Sequence, residues 1–183
     1  TFLGTAGKIN ESDIDADTVR KSKIIFLEGY LWDEGEPKKA FNKAISEAKK
    51  VAMSLSDKFC VDRHKVHFLD LVKNRLDITF ANEEEIMSLI NANSFQEVIS
   101  FAKEIKRLLV ITRGDKGAIS INKNVIKEVG VKKNLNILDL TGAGDLFASG
   151  YLHGYLNSFS EQNCLEKGTE MSAKIIQLIG ARL

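Results

Sequence analysis

The chain has 183 residues, 44% hydrophobic and 28% charged, which is enough apolar material for one globular core and too much for a disordered or fibrous polypeptide. Its 26 basic and 25 acidic residues leave a formal net charge of +1 with no basic stripe, which argues against nucleic acid as the principal partner. The longest apolar runs, such as IIFL at 24–27, fall far short of a membrane span, no secretory signal is visible, and two cysteines, Cys60 and Cys164, make no disulfide framework, so a cytoplasmic protein is expected.

In chain order, TFLGTAG at 1–7 has the look of a strand leaving a hydrophobic region. KIIFLEGYL (23–31) is a near-continuous apolar run, as expected of a strand covered on both faces. PKKAFNKAISEAKK (37–50) places Pro37 at the first helical position and Ala40, Phe41, Ala44, Ile45 and Ala48 on one face, which predicts a helix lying on a sheet. VAMSLS (51–56) is a strand, residues 63–74 a helix, and DITFA (77–81) a further strand. EEEIMSLIN and FQEVISFAKEIK supply two helical pieces before the strand LLVIT at 108–112. This alternation predicts a parallel sheet with crossover helices. Then GAISI (117–121) and VIKEVG (125–130) form an antiparallel hairpin around Asn122, Lys123 and Asn124, with Asn taking the left-handed turn position. Residues 142–157 and 160–180 are helical. With no repeat, linker or low-complexity segment, the expectation is a single α/β domain over 1–183, a mostly parallel sheet between helical layers plus a C-terminal hairpin.

Three stretches carry chemistry. In DLTGAGDLFASG (139–150), Gly142, Ala143, Gly144 and Asp145 open a helix. One reading is a plain helix start, glycines easing the turn and an acid favoured by the helix dipole. The other is an anion site: small residues leave backbone N–H groups bare for a phosphoryl group, and Asp145, which would repel that group, serves as general base for an attacking hydroxyl. In ANEEEIMSL (81–89), Asn82 and Glu85 either cap a helix or hold magnesium through its waters at the carboxyl end of a strand. In TRGDKGA (112–118), Thr112, Gly114 and Gly117 form either a simple connection or a turn whose backbone approaches phosphate.

In this order and spacing, the three motifs together resemble the ribokinase-like (PfkB) family of sugar and nucleoside kinases. LSDKFCVDRH (55–64), FANEEEI (80–86), DLTGAGDLFASGYLHG (139–154) and IIQLIGAR (175–182) are most similar to its bacterial adenosine kinase and sugar kinase branch. The resemblance implies a three-layer ribokinase-like fold and ATP-dependent transfer of the γ-phosphate to a nucleoside or sugar hydroxyl, adenosine ahead of ribose or fructose. It makes Asp145 the base, Gly142, Ala143 and Gly144 the anion hole, and Asn82 and Glu85 the Mg2+ motif, with Asn82 also near the nucleotide phosphates. Thr112, Gly114 and Gly117 become the ATP-phosphate turn, and Thr169 falls where relatives contact adenine or ribose. Some members hold a monovalent cation such as K+, at positions matched here by Asp139, Thr141 and Gly180. Family dimers often form through the lid, which has no counterpart here, so the resemblance leaves a homodimer open and does not give the oligomeric state.

Two positions depart from the family pattern: Leu140 where Thr or another small residue is usual, and Lys58 where many relatives have proline. The family's N-terminal strands, lid, di-glycine substrate motif and hydroxyl-gripping acid have no counterpart. One sheet edge is therefore expected to expose unpaired backbone and apolar surface. The alternative to a kinase is a truncated ATP- or ADP-binding module without turnover. Cys60, His64 and His67 lack a fourth ligand for zinc, His153 carries no assigned role, and Tyr30 and Trp32 line a pocket or pack in the core. A dinucleotide-dependent oxidoreductase fails because no G-x-G-x-x-G follows the first strand.

Overall fold

The computed structural model describes residues 4–32 and 35–183. Six strands lie in one sheet in chain order: β1 (Ile25–Glu28), β2 (Val51–Ser54), β3 (Ile78–Asn82), β4 (Leu108–Thr112), β5 (Ala118–Asn122) and β6 (Val125–Val129). β1 to β4 run parallel, and β5 and β6 continue the sheet antiparallel. The helices are α1 (Ala16–Lys21), α2 (Glu36–Glu47), α3 (Lys58–Asp70), α4 (Glu83–Ile90), α5 (Phe95–Ile105), α6 (Ala143–Leu156) and α7 (Glu161–Ile175). Among the described residues no helix is long and apolar enough to cross a membrane.

Strand order explains the layering. Four parallel strands laid down side by side with right-handed crossovers put every crossover helix on the same face. The packing agrees: Met53, Leu109 and Ile111 share a core with Phe41 of α2, Phe68 of α3 and Val98 of α5. The alternate residues of the same strands, Ala52, Ile78, Phe80 and Val110, point the other way and pack with Phe147 and Tyr151 of α6 and Leu165 of α7. A period of two along each strand thus builds two cores from one sheet.

Several elements differ from the sequence expectation. In TFLGTAG, residues 1–3 lie outside the described residues, and the rest is a turn leading into the 3-10 helix Ala6–Lys8. β1 stops at Glu28, and the chain turns through Gly29–Leu31 because Gly29 abuts β2: a Cβ there would stand 2.8 Å from the Leu55 carbonyl oxygen. β1 is also an edge strand that alternates between half-buried and exposed, with Phe26 38% exposed, so it is not covered on both faces. Pro37 occupies the second position of α2, one later than predicted. α3 begins at Lys58, earlier than predicted, because Asp57 caps it by accepting the Cys60 N–H at 2.7 Å; a π turn, Leu71–Arg75, ends it. In the β5–β6 turn the left-handed residue is Lys123, φ 57°, rather than an asparagine. α7 ends at Ile175, since the Ile176 carbonyl turns to receive the N–H groups of Leu138 (2.8 Å) and Asp139 (3.3 Å).

Candidate active site

The carboxyl ends of β1 to β4 and the start of α6 enclose a cleft of about 330 Å³. Ligands in open parallel sheets bind at this edge, because there the loops diverge and helix N-termini point inward. The cleft brings together Gly142, Ala143, Gly144 and Asp145 from the α6 start, Asn82 and Glu85 from β3 and α4, and Thr112 from the end of β4.

The α6 start has no side-chain cap. Gly142 is its N-cap with φ +79°, a left-handed conformation that a side chain would strain. The Ala143 N–H is already donated back to the Leu140 carbonyl at 3.1 Å, and the first intrahelical bond runs from the Leu146 N–H to the Gly142 oxygen at 2.9 Å. The next N–H groups, of Gly144 and Asp145, therefore have no acceptor within the helix and lie at the positive end of its dipole. The loop leaves these donors uncapped, and Asp145 stands exposed beside them.

At α4 the structure shows the helix-cap arrangement. Asn82 and Glu85 form a reciprocal capping box: Asn82 Oδ1 accepts the Glu85 N–H at 2.8 Å, and Glu85 accepts the Asn82 backbone N–H at 2.9 Å and its Nδ2 at 2.7 Å. Glu85 is buried, and burial pushes its carboxyl up to about 7, the Asn82 hydrogen bond offsetting part of the rise while the charges of Asp57 and Glu84 add to it. A carboxylate so poorly solvated gains strongly from a nearby cation. Among the described residues no three His, Cys, Asp or Glu side chains gather around a metal position. An amide oxygen and one carboxylate suit magnesium, which keeps most of its waters and takes its other ligands from phosphates.

Thr112 pairs in register with Asn82 across β3 and β4, which sets these two side by side at the sheet edge. Beyond it, Gly114 has φ +59° with open space around it, while Gly117 has φ +87° and sits against β6, where a Cβ would fall 1.9 Å from the Val129 carbonyl oxygen. Gly117 is therefore required by packing, and neither it nor Gly114 lines the cleft.

Asp139, Thr141 and Gly180 do come together. Asp139 accepts the Thr141 hydroxyl at 2.7 Å, the Thr141 N–H at 2.9 Å and the Gly180 N–H at 2.9 Å, and these bonds hold its carboxyl below the usual range. Thr169 lies on α7, buried, with its hydroxyl unpaired among the described residues, and does not line the cleft. Cys60, His64 and His67 build no metal site: His64 stacks on Phe68 and His67 lies 3.3 Å from the Lys38 ammonium. Trp32 is a core residue packed edge-on against Phe41, whereas Tyr30 lines the cleft.

Beyond the motifs the cleft is lined by Tyr30, which the sequence reading offers as a pocket residue, and by Glu28, Ser54 and Ser56, which it does not name. All lie at or just past the ends of β1 and β2, so the rule that singled out Asn82 and Thr112 as strand-end residues would have found them. Burial raises the Glu28 carboxyl, and the charge of Asp145 raises it further, so two acids share the cleft. Burial, then the Asp57 carboxylate, pushes the Tyr30 hydroxyl up to about 12, and it donates to the Ser56 carbonyl at 3.3 Å.

Bare helix N–H groups, an exposed acid beside them and hard oxygen donors across a sheet-edge cleft can accommodate a phosphoryl group and a hydroxyl to receive it. The sequence pattern of the pfkB family carbohydrate kinases matches residues 1–183, and the chain belongs to that family. Its structure superposes on adenosine kinase from Sinorhizobium meliloti with a TM-score of 0.93 and 32% identity, covering 97% of this chain and 56% of that one. Adenosine kinase of Dictyostelium discoideum is 28% identical over 204 residues, 99% of this chain and 58% of the relative. Cytidine kinase of Thermococcus kodakarensis is 29% identical over 111 residues, 60% of this chain and 40% of the relative. The chain thus spans about half the length of the relatives it matches.

Proposed function

We propose that the cleft carries ATP-dependent phosphoryl transfer to a hydroxyl of a small molecule, a nucleoside or sugar, with adenosine the first acceptor to try. The observation that carries this reading is the exposed Asp145 beside the uncapped start of α6, in one cleft with Asn82 and Glu85. Family membership supports the use of ATP and Mg2+, and the similarity to adenosine kinases supports the acceptor.

In this mechanism Asp145 accepts the acceptor's hydroxyl proton as its oxygen bonds to the γ-phosphorus, and the bond from that phosphorus to the β-phosphate bridge breaks, releasing ADP. The Gly144 and Asp145 N–H groups face the oxygens on which charge develops. Bound magnesium supplies charge neutralisation on the phosphates, and Asn82 and Glu85 would hold it through its waters. Thr112 donates its hydroxyl on the phosphate side. Asp139 and Thr141, a carboxylate and a hydroxyl, are the oxygen donors that the proposal assigns, with Gly180, to a monovalent cation such as K+. Thr169 is assigned to the nucleoside end of ATP on family resemblance alone.

The alternative reading is ATP or ADP binding without turnover. Calorimetry with ADP and magnesium, run beside a coupled ADP-release assay with adenosine, separates the two. Asp145→Asn should preserve ADP affinity and lower turnover about a thousandfold, the usual scale of a lost general base. Near-normal turnover in that variant would remove Asp145 from the base role, and ADP binding without turnover in the unaltered chain would establish the binding module.

A further inference from the structure

The turn after β4 and the start of α4 are joined by a contact that the reaction itself does not use. Arg113 Nε donates to Glu83 Oε2 at 2.9 Å, and both side chains are largely shielded, 19% and 23% exposed. The Arg113 guanidinium also lies 3.7 Å from the ring centroid of Phe95, the first residue of α5. Its backbone N–H closes the turn by donating to the Gly117 carbonyl at 2.8 Å. Lys116, from the same turn, reaches the other Glu83 oxygen at 3.4 Å but is 59% exposed. Glu83 immediately follows Asn82 and does not itself line the cleft, so this carboxylate joins the two motifs behind the cleft-lining residues Asn82 and Thr112.

We propose that Arg113 is a positioning residue for nucleotide binding: clamped on Glu83 and stacked on Phe95, it fixes the 112–117 turn against the start of α4. The inference rests on the nucleotide-binding reading of the cleft. The β3–β4 pairing fixes Thr112 beside Asn82, but the ladder ends there. Past Thr112 the turn is closed by its own bonds, Arg113 N–H to the Gly117 carbonyl at 2.8 Å and Gly117 N–H to the Gly114 carbonyl at 3.1 Å, both of them within the β4–β5 hairpin. A shielded guanidinium bonded to one helix start and stacked on the next ties that hairpin to α4 and α5, and a turn held against the start of α4 loses less freedom when phosphate arrives. Lys116, exposed and at a longer distance, contributes little to the restraint.

The test is calorimetric affinity for MgADP in the unaltered chain and in Arg113→Met, Glu83→Gln, their double variant and Lys116→Met, with a thermal melt of each. Arg113→Met should weaken MgADP about tenfold, the size of one lost charge-assisted hydrogen bond, while Lys116→Met changes it less than about twofold. Glu83→Gln should weaken it similarly, and the double variant should be no worse than the weaker single one, because both remove the same restraint. Melting temperatures should stay within a few degrees of one another, since Glu83 keeps access to solvent. Unaltered affinity in Arg113→Met overturns the inference, as does an equal loss in Lys116→Met, which would mean that only charge near the phosphates matters. Additive losses accompanied by a collapsed melting temperature overturn it in favour of a merely structural pair. Failure of the unaltered chain to bind MgADP would instead overturn the nucleotide reading of the cleft, and the inference with it.

Discussion

Two helix starts face the same cleft and are built in opposite ways. α4 begins with both capping partners in place, Asn82 and Glu85 satisfying each other's donors. α6 begins on Gly142 with no side chain over its first turn. The box satisfies two of the first N–H groups, those of Asn82 and Glu85, and the two side chains that make it line the cleft with their oxygens. An uncapped start presents N–H groups and the positive end of a dipole. One cleft thus offers hard oxygen donors on one side and anion-binding donors on the other. A phosphate bearing a magnesium ion requires both.

The contrast is broken most severely at Gly142. Its φ of +79° and the Ala181 backbone, 3.1 Å from where a Cβ would stand, leave no room for a side chain. Gly142→Ala should cost about 1 to 2 kcal/mol in backbone strain. By tilting the first turn of α6 it should also lower turnover about a hundredfold, the scale of one misplaced anion-hole donor. Steady-state kinetics beside a thermal melt measure both, and a variant with a strained fold but normal turnover would show that the bare N–H groups face nothing that reacts.

The α4 side responds to pH. Burial lifts the Glu85 carboxyl from its ordinary 4.5 to about 7. Between those values the folded chain holds a proton on Glu85 that the unfolded chain has released, so the contribution of Glu85 to stability is fully present below about 4.5 and is lost as pH rises through 7. The decline should be on the order of 1 to 3 kcal/mol. Glu85→Gln, which cannot ionise, should flatten that slope. Urea unfolding at pH 5 and pH 8 measures it, and equal slopes in the two proteins would show that Glu85 is better solvated than its burial implies.

Much of this arrangement is legible in the sequence because it depends on local rules. The run LLVIT followed by a glycine turn gives β4 and its exit, and the order of alternating segments gives the parallel part of the sheet. The spacing of Asn82 and Glu85 reads as a capping box, and the structure shows that box. What stays hidden depends on the whole sheet. KIIFLEGYL is apolar enough for a central strand, yet β1 lies at an edge, a matter of strand order rather than composition. Helix α1, ADTVRK, is six residues with one apolar β-branched side chain, too short for a period to show. Glu28 and Ser54 are within reach of the strand-end rule but carry no motif of their own, and Thr169 lies outside the cleft lining although resemblance pointed to it.

The smallest expected effect separates the structural half of the capping box from its ligand half. Asn82→Ala removes the acceptor of the Glu85 N–H and the Nδ2 donor to Glu85, but keeps the backbone N–H bond to Oε2. The loss of a helix cap should cost about 1 kcal/mol. Asn82→Asp keeps an acceptor for the Glu85 N–H but sets a second negative charge against the Glu85 carboxyl. It should therefore match the unaltered chain more closely at pH 5, where Glu85 is protonated, and fall behind at pH 8. If both variants unfold alike at both values, the box is dispensable for the fold. The pairing of Asn82 with Glu85 would then be set by what the cleft binds, and magnesium affinity in the presence of ADP, rather than stability, would be the quantity these two residues control.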